Sequence, residues 1–269
     1  MAERTTDPDF VEALARGLSV IRSFEAGPEP MTLVEVANAT GLARPTARRM
    51  LLTLESLGYV RTLKGGFTLT PRVLELGFTY VQSSGLWGVA RPHMEKLVEK
   101  THESSSIAQL DGSDIVYVAR VAVPKIIALA VEVGTRFPAA ETSLGKVIMS
   151  GMDTKELDEI LAEPSRSGVT PRVVVDRSEL DATLAHIRAK GWALTDGQLA
   201  AGIRSIAAPL RNREGRIVAA LNVTVNAAET SVETLTEKYL PWLLQAASDI
   251  SADWAIYLSI PKVSEPATR

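Results

Sequence analysis

The 269-residue sequence predicts an α+β chain in two parts, a small helical front closed by a β-hairpin and a larger antiparallel sheet flanked by helices. Three observations carry this expectation. Apolar residues recur at helical spacing up to about residue 57 and again over 71–101. Strand-like runs joined by short turns bracket a helical middle in the second part. The 46% of hydrophobic residues is ample for packed cores at this length.

In the front part, Asp7-Pro8 reads as an N-cap with proline in the first turn, and Phe10, Leu14, Leu18 and Ile21 form the stripe of a helix closed by Gly27-Pro28. Thr32 and Glu35 fit a capping box that opens a short helix ending near Thr40-Gly41. A third helix begins at Arg44-Pro45-Thr46, with Ala47, Met50, Leu51, Leu54 and Leu57 as its apolar stripe. Pro45, Arg49, Leu52 and Ser56 lie opposite that stripe, and Thr46, Arg48 and Thr53 flank them. Tyr59–Leu63 and Phe67–Thr70 then read as two short strands around Lys64-Gly65-Gly66. Thr70-Pro71 caps a helix in which Val73, Leu74, Leu76, Phe78, Tyr80 and Val81 leave no broad polar face, so other surfaces must cover it.

After the break at Ser83-Ser84-Gly85 a helix runs from about Leu86 to Thr101. Strands are expected over 105–110, 115–121 and 126–133, helices over 142–150, 155–162 and 178–190, and strands again over 193–195, 203–210 and 217–225. A helix from about Ser231 to Tyr257 finishes the fold. The domain division is therefore a flexible tail over 1–9, a first domain over 10–70, a linker helix over 71–84, a second domain over 85–260 and a flexible tail over 261–269.

Composition narrows the function. The absence of cysteine excludes disulfides, cysteine-ligated zinc, iron–sulfur clusters and a thiolate nucleophile. No signal peptide and no uncharged apolar run of membrane-spanning length are present, so a cytoplasmic protein is expected. The formal charge of -3 argues against nucleic acid only as an average. Residues 1–72 hold nine Lys and Arg against eight Asp and Glu, so the front is weakly basic and the rest weakly acidic.

Helix, capped helix, glycine turn, arginine-bearing helix and basic hairpin follow one another as in a winged helix-turn-helix. A helix that enters the major groove N-terminal end first needs donors at its start and outward face. The candidate DNA contacts are Thr32, Arg44, Pro45, Thr46, Arg48, Arg49 and Thr53, with Arg61 and Lys64 on the wing. The competing reading is a three-helix bundle whose arginines are a solvated face.

The same residues resemble the IclR-type transcriptional regulators. The resemblance rests on Ala15-Arg16-Gly17-Leu18-Ser19-Val20-Ile21, Gly41-Leu42-Ala43-Arg44-Pro45-Thr46-Ala47 and Leu54-Glu55-Ser56-Leu57-Gly58-Tyr59-Val60 in the front. In the rear it rests on Arg136-Phe137-Pro138-Ala139, Thr142-Ser143-Leu144-Gly145-Lys146, Gly202-Ile203-Arg204-Ser205-Ile206-Ala207-Ala208-Pro209 and Gly215 to Val223. Leu199–Leu210 with Ala219–Val223 is most similar to members that control aromatic-acid catabolism, the protocatechuate, 4-hydroxybenzoate and β-ketoadipate group. The resemblance implies a GAF- or profilin-like second domain that binds a small metabolite, no cofactor, and a homodimer or dimer of dimers on double-stranded operator DNA. Two-fold symmetry would place half-sites roughly 34 Å, or a multiple of that, apart.

It also implies where the effector sits, between the start of the 142–150 helix and the last strands. A helix N-terminus suits a carboxylate, and Ser143 and Leu144 would offer the N–H groups. Thr142 and Gly145 belong to the same turn. Strand alternation puts Ser205 with Ala207 and Asn222 with Thr224, and the resemblance aims these faces, with Thr195 and the apolar wall residue Phe137, at the ligand. Arg204 is a further candidate counter-ion, the alternative being that alternation sends it to the other face in a structural role.

Enzymatic readings are weaker. Gly145-Lys146 lacks the first glycine and the Ser/Thr of a phosphate loop, with Ala140 and Val147 in their places. No G-x-S-x-G occurs, and His93, His102 and His186 have no metal-ligating spacing. No metal site is expected, and Asp111 and Asp114 read as turn formers. The remaining alternatives are an architectural DNA-binding oligomer without an effector, or an enzyme fused to a DNA-binding domain.

Overall fold

The computed structural model describes residues 9–25, 27–124, 131–168 and 176–259, with the side chains of 81–84 left out. The Asp7-Pro8 cap, residues 126–130 of the strand expected over 126–133 and the two terminal tails fall outside the described residues, apart from Asp9. The chain forms two compact units, divided between Tyr80 and Val81.

The first unit contains α1 (Glu12–Ser23), α2 (Leu33–Thr40), α3 (Arg44–Ser56), β1 (Val60–Leu63) and β2 (Gly66–Leu69). Its core joins Val20, Met31, Val36, Leu51, Leu54 and Val60. Thr32 makes the full capping box with Glu35, and Gly41 closes α2 at φ 66°, a left-handed turn that costs glycine little. The turn delivers the chain to Ala43 and the proline-bearing first turn of α3.

Two strands alone hold poorly in water, and this hairpin is braced on both sides. Phe67 and Met31 exchange backbone hydrogen bonds of 2.9 and 2.7 Å. Gly66 permits that approach, since a Cβ there would lie 2.3 Å from the Met31 carbonyl oxygen. Glu55 of α3 accepts from the Thr62 N–H at 2.9 Å and from its hydroxyl at 2.7 Å, which ties the hairpin to the helix.

The expected stripe of α1 differs from the observed one. Phe10, Leu14 and Leu18 are exposed and Val20 is the buried residue, because α1 meets α2 and α3 along the side that carries Val20 and Ile21. Leu57, expected to end the stripe of α3, is also exposed at the helix C-cap. A 3-10 turn over Pro71–Val73 leads into α4 (Leu74–Ser84), whose Leu74, Leu76, Phe78 and Tyr80 are exposed.

The second unit is built on an antiparallel six-stranded sheet in the order β5-β4-β3-β8-β7-β6. Its strands are β3 (Ser104–Asp111), β4 (Asp114–Val121), β5 (Arg136–Pro138), β6 (Ala193–Asp196), β7 (Ile203–Arg211) and β8 (Ile217–Asn226). On one face lie α5 (Leu86–Thr101) and α9 (Leu240–Ser259), packed on Ile107, Ile206, Leu221 and Val223. The other face carries α6 (Ser143–Met149) and α8 (Arg177–Lys190), with α7 (Thr154–Ala162) adding Leu157, over Ala108, Ala207 and Ala220. The small residues on that face let α6 come close. A Cβ on Gly145 would lie 2.2 Å from the Ala139 carbonyl oxygen, so this turn of α6 admits glycine alone without a backbone shift.

Two elements depart from the expected pattern. β5 is an edge strand of three residues, too short to show alternation. The final helix begins as a π-helical stretch over Thr234–Tyr239, just before Pro241, which has no N–H for the preceding turn and whose ring crowds it. Asp114 does more than form a turn. Buried, it accepts from the Ser165 hydroxyl at 2.6 Å and the Arg166 N–H at 2.7 Å, and Arg136 lies between it and Asp111.

Candidate functional site

The first unit presents a basic surface on α3 and the hairpin. Arg44, Pro45, Arg48, Arg49, Thr53, Arg61 and Lys64 are exposed and Thr46 partly so. Among the described residues the ion pairs of this unit are Arg16–Glu12 and Arg72–Glu75, so none of the five cations on α3 and the hairpin is neutralised within it. Their charges are available to an outside anion.

The hydroxyls on this surface are less free. Thr32 Oγ1 accepts from the Glu35 N–H and donates to the Glu35 carboxylate at 2.7 Å, so it is spent on the cap. These bonds hold the Glu35 carboxyl below its ordinary range, the Thr32 backbone N–H being the larger cause and the hydroxyl the second. Thr53 Oγ1 donates to the Arg49 carbonyl at 2.9 Å. Of the residues singled out from the sequence, the arginines and Lys64 therefore keep the most hydrogen-bonding capacity.

The second unit holds a cavity of about 60 Å³ between α6 and the sheet. Thr142, Ser143, Leu144, Thr195, Ser205, Asn222 and Thr224 line it, as do Glu103, Tyr117 and Arg120. Phe137 and Gly145 stand beside it without lining it. Phe137 is buried and meets the Tyr117 ring edge-to-face at 5.8 Å, so it backs a lining residue. The Gly145 N–H is taken by Thr142 Oγ1 at 3.0 Å, which leaves Ser143 and Leu144 as the amides of this turn outside the cap bond.

Cross-strand register explains the polar floor. Ser205 pairs with Thr224, and Asn222 with Ser106, so four polar residues from three strands share one face. Asn222 Oδ1 accepts the Ser106 N–H at 2.9 Å, which fixes the amide. Its Nδ2 then donates to Thr224 Oγ1 at 2.9 Å and Ser205 Oγ at 3.2 Å. Ser143 Oγ donates to Ser205 Oγ at 3.0 Å, and Ser205 Oγ donates to the Val223 carbonyl at 3.2 Å. Ser205 Oγ also lies 3.2 Å from Thr224 Oγ1, but with both its lone pairs taken by Ser143 and Asn222 it does not accept there, so the Thr224 proton is left for the cavity and Ser143 keeps acceptor capacity.

Tyr117 and Arg120 were not legible as cavity residues. They stand three apart on β4, and strict alternation sends them to opposite faces. The register with β3 shifts at this point, so that Ala108 faces Tyr117 while Ile107 faces Ala119 and Ser106 faces Arg120. Val118 is the extra residue of a bulge, and the bulge turns both side chains to the α6 face. Burial pushes the Tyr117 phenol up to about 12, so it stays protonated, and burial draws the Arg120 guanidinium below its ordinary value. Arg204 points away from this network, to Asp196 and the Thr230 carbonyl, each at 2.7 Å.

One turn into α6, Lys146 is buried and donates to the Gln198 side-chain oxygen. Burial lowers its pKa, with Glu141 opposing that change. Among the described residues no group of His, Asp and Glu side chains is arranged to hold a metal ion, and no helix is long and apolar enough to cross a membrane.

Residues 13–64 match the model of the IclR helix-turn-helix domain and residues 78–252 that of the C-terminal part of bacterial IclR transcriptional regulators. The chain is 37% identical to the Pca regulon regulatory protein of Pseudomonas putida, over 91% of this chain and 85% of that one. It is 31% identical to the p-hydroxybenzoate hydroxylase transcriptional activator of Acinetobacter baylyi, over 93% and 94%. Among solved structures it is similar to a transcriptional regulator from Rhodococcus sp. RHA1, with 48% identity, a TM-score of 0.81 and coverage of 92% and 100%. The fold is also that of an IclR homologue from Microbacterium hydrocarbonoxydans solved with 4-hydroxybenzoate, at 24% identity, a TM-score of 0.77 and coverage of 91% and 99%.

Proposed function

The chain belongs to the IclR family of bacterial transcriptional regulators, and from that premise we propose that it senses a small aromatic or related organic acid in the cavity between α6 and the sheet. The observation that carries this reading is the cavity's hydrogen-bonding floor, Ser143, Ser205, Asn222 and Thr224, facing an aromatic phenol and a guanidinium. A donor from Thr224 and an acceptor from Ser143 suit a hydroxyl or keto group on a small ligand. The P. putida and A. baylyi relatives are named for the Pca regulon and p-hydroxybenzoate hydroxylase, and the Microbacterium homologue holds 4-hydroxybenzoate. An acid of this class is the effector that best fits both lines of support.

On the DNA side, Arg48 and Arg49 of α3 read base edges or phosphates in the major groove, with Arg44 and Thr46 at the helix start. Arg61 and Lys64 extend the contact from the hairpin. Two exposed apolar faces, Leu14 and Leu18 of α1 with Phe10 just before it, and Leu74, Leu76, Phe78 and Tyr80 of α4, are large for a lone soluble unit and suit a homodimer. A dimer places two recognition helices on operator half-sites, and the effector acts by favouring one arrangement of the pair, a coupling of about 1–3 kcal/mol. This activity belongs in the cytoplasm, and no cofactor takes part.

Thermal melting with 4-hydroxybenzoate, protocatechuate and β-ketoadipate tests the reading. A ligand at a hundredfold excess over its Kd stabilises the native state by about 2.7 kcal/mol, a shift of several degrees. The same ligand should change operator affinity. Sequence-specific operator binding with no response to any organic acid would favour an architectural role.

A further inference from the structure

The geometry points to Arg120 as the partner of the effector's carboxylate, with the ligand's second polar group lying toward Ser143 and Thr224. The inference rests on the reading of this cavity as the effector site and assigns the ligand an orientation within it. The class is an organic acid with a carboxylate at one end and a hydrogen-bonding group at the other.

Arg120 lines the cavity and is half-buried. Among the described residues its hydrogen bond is the one from Nη1 to Ser106 Oγ at 3.1 Å, and no carboxylate pairs with it. Glu103, the acid among the lining residues, is not its ion-pair partner. Residues 125–130, Lys-Ile-Ile-Ala-Leu-Ala, contain no carboxylate in their sequence. A partly desolvated guanidinium without an anion is costly, and its planar fork matches a carboxylate. The β-bulge at Val118 supplies a separate reason, because regular pairing would send either Tyr117 or Arg120 away from this face.

Spacing across the sheet fits the ligand class. Arg120 lies opposite Ser106, and Ser106 opposite Asn222, so Arg120 and Asn222 are two strands apart, roughly 10 Å between backbones. With both side chains reaching inward, the interval suits a single ring bearing polar groups at opposite ends. Tyr117, on the same face of the bulged strand and opposite Ala108, supplies an aromatic wall beside that interval. This orientation is the reverse of one that seats the carboxylate on the first turn of α6.

The test compares 4-hydroxybenzoate with its neutral amide, 4-hydroxybenzamide, by calorimetry on the native chain and on Arg120→Gln and Arg120→Lys. The native chain is expected to prefer the acid roughly ten- to a hundredfold, the range of a charged hydrogen-bonded pair. Arg120→Gln should lose that preference, and Arg120→Lys should keep part of it. Because the readout is a ratio between two ligands of one shape, a variant that is merely less stable leaves it unchanged. An undiminished preference in Arg120→Gln overturns the assignment and leaves the effector reading standing. If the native chain binds neither these probes nor protocatechuate nor β-ketoadipate, the effector reading falls and this inference with it.

Discussion

The two units treat their polar side chains in opposite ways. On α3 and the hairpin, Arg44, Arg48, Arg49, Arg61 and Lys64 are exposed and form no ion pair within their unit. In the cavity, Ser143, Ser205, Asn222 and Thr224 are bonded chiefly to one another, and three of the four are buried. A solvated cation contributes little to the fold, so it can be altered with loss of binding alone. A buried amide holds strands together as well as facing the cavity, so altering it changes the stability of the fold and the cavity at once.

The largest effect expected from this contrast is on operator affinity. Arg49→Ala should lose sequence-specific binding by about tenfold or more, the worth of one good base contact, with the melting midpoint held within about 0.5 kcal/mol of stability. Ligand affinity should be unchanged. Electrophoretic or fluorescence titration against operator and scrambled DNA, alongside a melt, checks both halves. A fall in midpoint that tracks the loss of binding would break the contrast, since Arg49 would then belong to the fold.

Asn222→Leu probes the other side. It removes the acceptor of the Ser106 N–H at 2.9 Å and two donated bonds in a buried setting. The expected cost is about 1–3 kcal/mol, or a midpoint lower by roughly 2–4 °C for each kcal/mol in a unit of this size. The effector response should be lost with it, while operator affinity without ligand stays near native. An unchanged midpoint would mean that the floor of the cavity is as dispensable to the fold as the arginine surface.

The same contrast governs how much could be read from the sequence. Surface function follows local pattern: the Thr32–Glu35 box, the glycine at 41, Pro45 and the arginines after it lie within eighteen residues. Strand alternation also placed Ser205, Asn222 and Thr224 together, because β7 and β8 pair regularly through these positions. Arg120 and Tyr117 escaped notice because a bulge breaks alternation, and nothing in their own strand signals which residue is extra. Phe137 and Gly145 stand beside the cavity without lining it, because the Phe137 ring meets Tyr117 and the Gly145 amide is claimed by Thr142. The α1 stripe failed for a related reason. Periodicity gives the apolar face of a helix but not whether its own unit or another surface covers it, and Phe10, Leu14 and Leu18 are left exposed.

The smallest effect concerns the helix caps, where both units carry carboxylates outside the core that do structural work. Glu35 in the first unit and Asp176 in the second are held below their ordinary pKa, each mainly by a hydrogen bond from a backbone N–H. A group with a lowered folded-state pKa binds fewer protons folded than unfolded. Its contribution is therefore complete above the unfolded value, about pH 4.3 for glutamate, and is lost as the pH falls through the folded one. Glu35→Gln keeps the side chain's shape and an acceptor for the cap but cannot titrate. Its midpoint should lie close to native at pH 7 and fall less than native between pH 5 and pH 3, as read in melts across that range. Operator binding at pH 7 should be unaffected, since the Glu35 carboxylate is bonded to Thr32 and not to the arginine surface. If Glu35→Gln instead weakened operator binding at pH 7 without moving the midpoint, the cap would be part of the DNA contact. The separation between structural and recognition groups on the first unit would then be less complete than the unpaired arginines suggest.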